Sequence, residues 1–208
     1  FLLEKEQILK ILVGQKGGDN QHDGGGGGGT FVVLDNDTPL IIAAGGGGGS
    51  NDNVSYCHGN AGTDGMNSNC TWGGSNGNGG NSCSSAGGGG GFYGDGDGGW
   101  YGSGFLMNYG YGGDGQAYGG FGGGGGGGGT NGAGGGGGYS GGAGSSWSAP
   151  GGGGGSYNSS TLDPLNLSGI NSDNGTVIIN RIITFSTSIY FNNNESLNTI
   201  IDGFTIEG

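Results

Sequence analysis

Apolar residues in this chain come in short phrases, and most of the intervals between them are filled by glycine. Ile8 to Val13, within EQILKILVGQ, is an apolar run closed by the turn signal Gly14-Gln15-Lys16-Gly17, and it predicts a strand. Thr30 to Leu34 predicts a second strand, followed by the turn-forming string Asp35-Asn36-Asp37-Thr38-Pro39. Leu40 to Ala44 predicts a third, so these two form a hairpin. Asn51 to Asn81 is polar and turn-rich, with no usable period. From Phe92 to Phe121 glycine alternates irregularly with Tyr93, Trp100, Tyr101, Phe105, Tyr109, Tyr111 and Tyr118, which are expected to lie as lids over the glycine segments. Trp147 and Tyr157 bracket the last of those segments. After Pro164 the composition changes: Thr176 to Ile179 predicts a strand, and Ile183, Phe185, Thr187, Ile189 and Phe191 recur with a period of two. No helical period appears, so the expected class is all-β.

Six uninterrupted glycine runs separate these phrases: Gly24 to Gly29, Gly45 to Gly49, Gly87 to Gly91, Gly122 to Gly129, Gly134 to Gly138 and Gly151 to Gly155. A glycine run supplies no nucleophile, base or metal ligand, only backbone donors, acceptors and close approach. Two states are open to it. One is a solvated linker; the other is the polyproline II conformation, which turns its amides outward with three residues per turn. Ordering each glycine costs about 1–2 kcal/mol, while each net hydrogen bond returns about 0.5–1.5 kcal/mol. A lone run therefore stays disordered, whereas several runs clamped by a scaffold can order together. Glycine is 65 of 208 residues, yet there is no three-residue period and only three prolines, which excludes a collagen triple helix.

Sixteen acidic against four basic residues give a formal charge of −12. Phosphate binding depends on Lys and Arg, so nucleic acid and anionic membrane surfaces are not expected partners. No apolar stretch approaches the length of a membrane span, and the opening on Phe1, without methionine or a signal-like segment, reads as a mature or trimmed piece. Cys57, Cys70 and Cys83 are evenly spaced within the most polar stretch and show no CxxC pattern, so zinc is not expected. One pair can close a short loop, leaving a third thiol free or paired between chains, and the spacing does not select the pair. Seven asparagines, Asn36, Asn53, Asn69, Asn158, Asn166, Asn174 and Asn194, have Ser or Thr two residues on without an intervening proline. An Asn- and Ser-rich composition generates such triplets by chance, but together with the cysteines they favour secretion and N-linked glycans.

Catalytic chemistry is missing. GxGxxG matches occur within glycine-rich stretches, but none follows a strand and opens a helix. His22 and His58 are isolated loop residues. Asp95 and Asp97 stand two apart, as in calcium loops, but without the third acid and closing Glu of an EF-hand. No Ser/His/Asp combination has the spacing of a nucleophile elbow. The chain is expected to be no enzyme and to carry no cofactor or metal.

The strings ILVGQKGG (Ile11 to Gly18), GGGGGGTFVV (Gly24 to Val33), PLIIAAGGGGG (Pro39 to Gly49), FGGGGGGGGT (Phe121 to Thr130), GAGGGGGYSGG (Gly132 to Gly142) and NGTVII (Asn174 to Ile179), taken in order, are distinctive. They resemble the extracellular glycine-rich domain of the anaplastic lymphoma kinase and leukocyte tyrosine kinase receptors, a module also present in glycine-rich surface proteins of protists and invertebrates. The resemblance covers about residues 1 to 180. It implies a β-sandwich of tumour-necrosis-factor-like type carrying an inserted bundle of polyglycine II helices. Those receptors bind cytokine-like ligands and continue into a cysteine-rich growth-factor-like module, whereas this chain continues into a cysteine-free β segment over residues 181 to 208. The resemblance therefore carries the fold and not the ligand. The tail string IIDGFTI resembles one rung of a right-handed parallel β-helix, with Asp202-Gly203 at the corner and Ile200, Phe204 and Ile206 at the core; a hairpin with an Asp-Gly turn is the alternative.

Two functional classes follow as expectations. The first is an extracellular or cell-surface structural glycoprotein that self-associates with identical chains by strand addition into a coat or filament. The second is a ligand- or glycan-binding ectodomain module using the exposed aromatics with Asp95, Asp97 and Asp114.

Overall fold

In a computed structural model of the chain, the described residues are 1, 3–20, 22–50, 57–84, 86–128, 132–161 and 164–180. The chain divides into a unit spanning Phe1–Val177 and a second spanning Ile178–Gly208. The first is mostly non-helical and is organised on a four-stranded antiparallel sheet, as expected of an all-β chain. Its strands are β1 (Leu9–Leu12), β2 (Thr30–Leu34), β3 (Pro39–Ala43) and β4 (Tyr157–Asn158), side by side in that order. The three strands read from apolar phrases thus form. The two-residue β4 is too short to leave a periodic signal.

The pairing register turns these phrases into a core. Leu12 faces Phe31, Phe31 faces Ile42, and Ile42 faces Tyr157, so one row crosses all four strands. Leu12, Phe31, Val33 and Ile42 are buried with Phe92 and Phe105, and Phe121, Tyr139 and Tyr157 pack against them. Ring stacking continues the row, with centroids 4.9 Å apart for Phe31–Phe105, 5.3 Å for Phe92–Phe105 and 4.8 Å for Tyr139–Tyr157. Such geometry adds to simple area burial.

The glycine runs are hydrogen-bonded to one another with a period of three. In the first run Gly24 and Gly27 donate to Gly49 and Gly46, Gly25 and Gly28 donate to Gly18 and Gln15, and Gly26 and Gly29 donate to Gly125 and Gly122. Each run residue thus serves the neighbour that the third residue on serves again. Sheet order continues into this packing. Residues 14–18 follow β1, the first run precedes β2, the second follows β3 and the sixth precedes β4; the contacts run from 14–18 to the first run, then to the second, then to the sixth, where Gly151 and Gly154 donate to Gly48 and Gly45.

The fifth run, Gly134 to Gly138, is the central one. Gly134 and Gly137 donate to Gly24 and Gly27, Gly135 and Gly138 to Gly87 and Gly90, and Gly136 to Gly152. Its carbonyls accept from Gly45, Gly48, Gly125 and Gly142. Six separate stretches therefore surround it, and all five of its residues are buried. Run polarity is set by these bonds: the fifth is parallel to the first and third and antiparallel to the second. As a result the apolar residue next to each run falls at one common end: Phe31, Ile42, Phe92, Phe121, Tyr139 and Tyr157 meet in the core. The core caps one end of the glycine packing.

Two expectations are corrected. A single helical turn, α1 (Phe105–Asn108), is present where no helix was expected. It is too short to show a period; Phe105 buries it and the Asp95 carboxylate accepts the Gly104 N–H at 2.7 Å just ahead of it. Thr176 to Ile179 does not form a strand. Gly175 donates to Gly14 O at 2.8 Å, but no ladder follows among the described residues, and β-branched residues do not hold a strand without a partner. The period-two stretch from Ile183 to Phe191 and the tail string lie outside the described residues.

Candidate interaction surface

β1 is the edge of the sheet, and among the described residues no backbone group pairs with its outer side. Beside it runs a groove of about 460 Å³ lined by Lys10, Ile11, Leu12, Val13, Asp37, Phe105, Leu106, Met107, Tyr109 and Phe121. The local sequence explains the lining. Alternation in β1 turns Leu12 inward and leaves Ile11 and Val13 exposed, while burial of Phe105 turns Leu106 and Met107 outward. Lys10 Nζ and Asp37 Oδ1, 2.7 Å apart, tie β1 to the β2–β3 turn. An apolar groove beside an unpaired strand edge is suited to an extended segment: the edge offers backbone bonds and the groove accepts alternate side chains.

A larger cavity of about 680 Å³ is lined by glycine backbone together with side chains that include Lys16, Cys57, His58 and Asp173. Burial pushes the Cys57 thiol up from its ordinary pKa, which weakens it as a nucleophile. Cys70 and Cys83 form the disulfide, with Cα atoms 6.2 Å apart. Sequence spacing left all three pairings open, and the fold selects this one.

The candidate site residues do not converge on one place. Asp95 braces α1, and Asp97 accepts the N–H of Gly98 at 2.8 Å, so both carboxylates serve the backbone. Asp114 is exposed. Among the described residues no group of three His, Cys, Asp or Glu side chains is placed to hold a metal ion. Asp23 Oδ1 and Ser50 Oγ are buried without a hydrogen-bond partner where the first run begins and the second ends, but neither residue lines the two cavities. Of the aromatics expected as lids, Phe105 is core and Trp100 lies against Gly128, while Tyr93, Tyr101, Tyr109, Tyr111 and Tyr118 are exposed, Tyr109 by 74%. Trp147 is exposed as well, and Tyr157 belongs to β4. Of the seven sequon asparagines, Asn53 and Asn194 lie outside the described residues. Sequence reasoning missed the groove, because Leu106 and Met107 carry no signal of being next to β1.

No protein-family model and no curated protein matches the chain. Among the described residues no helix is long and apolar enough to cross a membrane.

Proposed function

We propose that this chain is an extracellular structural module that assembles into a surface coat or filament, with β1 and its groove receiving an extended segment of an identical chain. The observation that carries the reading is the unpaired β1 edge beside an apolar groove. The Cys70–Cys83 disulfide is compatible with an oxidising compartment, and the acidic surface keeps such a module soluble before assembly. The architecture belongs to the same proposal: a tumour-necrosis-factor-like sandwich holding polyglycine II helices, as in the receptor domains that the sequence resembles. Its support is the period of three in the hydrogen bonds, the repeat of a polyproline II turn.

Negative-stain microscopy and sedimentation of native material test the assembly. Ordered oligomers are expected, reduced to monomers by Ile11→Lys with Val13→Lys, two exposed positions; dispersed monomers in the unsubstituted protein overturn the reading. Hydrogen exchange tests the helices: the Gly122 to Gly128 amides should exchange slowly, and fast exchange with an unchanged melting temperature for Gly125→Ala returns the runs to linkers. The second reading, a glycan- or ligand-binding ectodomain, is favoured by the exposed Tyr109, Tyr111 and Tyr118, and glycan-array binding lost on their substitution would support it over assembly.

A further inference from the structure

The fold sorts the sequon asparagines into two groups by what their side-chain nitrogens do. Asn69 Nδ2 donates to Ser146 O at 3.0 Å while its Oδ1 accepts the Ser146 N–H at 3.4 Å, a two-point clamp beside the Cys70–Cys83 disulfide. Asn158 Nδ2 donates to Asn166 Oδ1 at 3.2 Å, and Asn166 Nδ2 donates to Ala61 O at 3.1 Å, a relay joining β4 to two loops. Asn36 and Asn174 differ. They are exposed, as Asn69 and Asn166 are too, but both use only the oxygen, accepting the Thr38 N–H at 3.2 Å and the Lys16 N–H at 2.9 Å, and neither Nδ2 bonds to any described residue. Asn36 sits at the tip of the β2–β3 turn, where Asp35 to Thr38 are all exposed and Lys10 holds Asp37 in place.

From this division we infer that Asn36 and Asn174 are the glycan-bearing sites and that Asn69, Asn158 and Asn166 remain unmodified. In the transfer, Nδ2 bonds to the anomeric carbon of an oligosaccharide carried on a lipid pyrophosphate. The bond from that carbon to the pyrophosphate oxygen breaks, the lipid pyrophosphate leaves with the electron pair, and the amide loses one proton. The product amide keeps one N–H and its oxygen, so the Asn36 and Asn174 acceptor bonds survive. At Asn69, Asn158 and Asn166 the bulky group would be fixed on a nitrogen already held against a backbone or amide oxygen.

The assignment takes only its setting from the extracellular reading, and the experiment separates the two. The chain is expressed in eukaryotic cells behind a cleavable secretion signal, and each sequon is mapped by the Asn-to-Asp mass signature after glycosidase treatment. Occupancy at Asn36 and Asn174 with bare Asn69, Asn158 and Asn166 is expected. A bare Asn36, or glycan on Asn69, Asn158 or Asn166 to a similar extent, overturns the assignment, because secretion is imposed and cannot be the cause. Surface labelling of the native cell tests the location separately. Melting temperature gives an independent readout in unglycosylated protein. Asn36→Asp should leave it unchanged, and Asn69→Asp, which keeps the acceptor but removes the donor, should lower it by about 2–4 °C. Equal shifts for the two overturn the division.

Discussion

The sheet end and the glycine end of the first unit solve the same problem with opposite means. At the sheet, side chains do the packing: Phe31, Ile42 and Phe92 are buried and the backbone is spaced by strand geometry. Around Gly135 there are no side chains, and stability rests on backbone groups that bond to every neighbour in turn. A bond worth about 0.5–1.5 kcal/mol barely offsets the ordering of one glycine. The sheet orders part of the packing in advance, because β2, β3 and β4 deliver the first, second and sixth runs already side by side. The aromatic core, lying where the run ends meet, is placed to order the glycine region by holding those ends together.

The sharpest way to break this relation is at the core. Phe31→Ala should cost about 3–5 kcal/mol in chemical denaturation, as truncation of a buried aromatic does. If the core holds the run ends, the substitution should also remove amide protection in the glycine region. Protection that survives there would mean the bundle is stable alone.

Gly135→Ala attacks the other end. Its Cβ would collide with the Gly142 carbonyl, a backbone group fixed on both sides. Overpacking of that kind costs about 3 kcal/mol, the upper part of its ordinary range. Unfolding curves indistinguishable from the parent would show that the runs are not in contact. Reduction of the Cys70–Cys83 bridge, or Cys70→Ser, should cost about 3 kcal/mol, the loop-closure value for ~15 residues. It should do so without changing protection at the sheet.

Gly49→Ala sharpens the comparison by contrast. No atom lies within 4 Å of a Cβ there and the residue is exposed. The substitution should stabilise by about 0.4–1 kcal/mol through the unfolded chain, and a loss comparable to that at Gly135 would contradict the packing. The smallest effect concerns Cys57. Burial raises its folded pKa above the unfolded value, so any contribution is fully present below the unfolded pKa and is lost as pH rises through the folded one. Alkylation at neutral pH should be slower in the folded protein than after denaturation, and equal rates would place the thiol in solvent.

The local pattern of residues determined the strands and the class of the fold. The phrases at Ile11, Phe31 and Ile42 have the apolar composition and turn signals that place β1 to β3 to within a residue or two, because strand formation there depends on side chains the sequence displays. The capping of the runs was less legible: of the aromatics expected as lids, Tyr93, Tyr101, Tyr109, Tyr111 and Tyr118 are exposed, and the runs are capped instead by residues next to their ends such as Phe92, Phe121 and Tyr139. What the tertiary structure alone decided is who neighbours whom. Gly135 and Gly49 are chemically identical, yet one is surrounded and the other open, because a residue without a side chain carries no mark of its partner. The same holds for Cys70 choosing Cys83 over Cys57, for α1 lying beside β1, and for the Asn69 side chain being clamped through its nitrogen as well as its oxygen. Each depends on contacts far apart in the chain, set by strand order and run polarity and by no local preference.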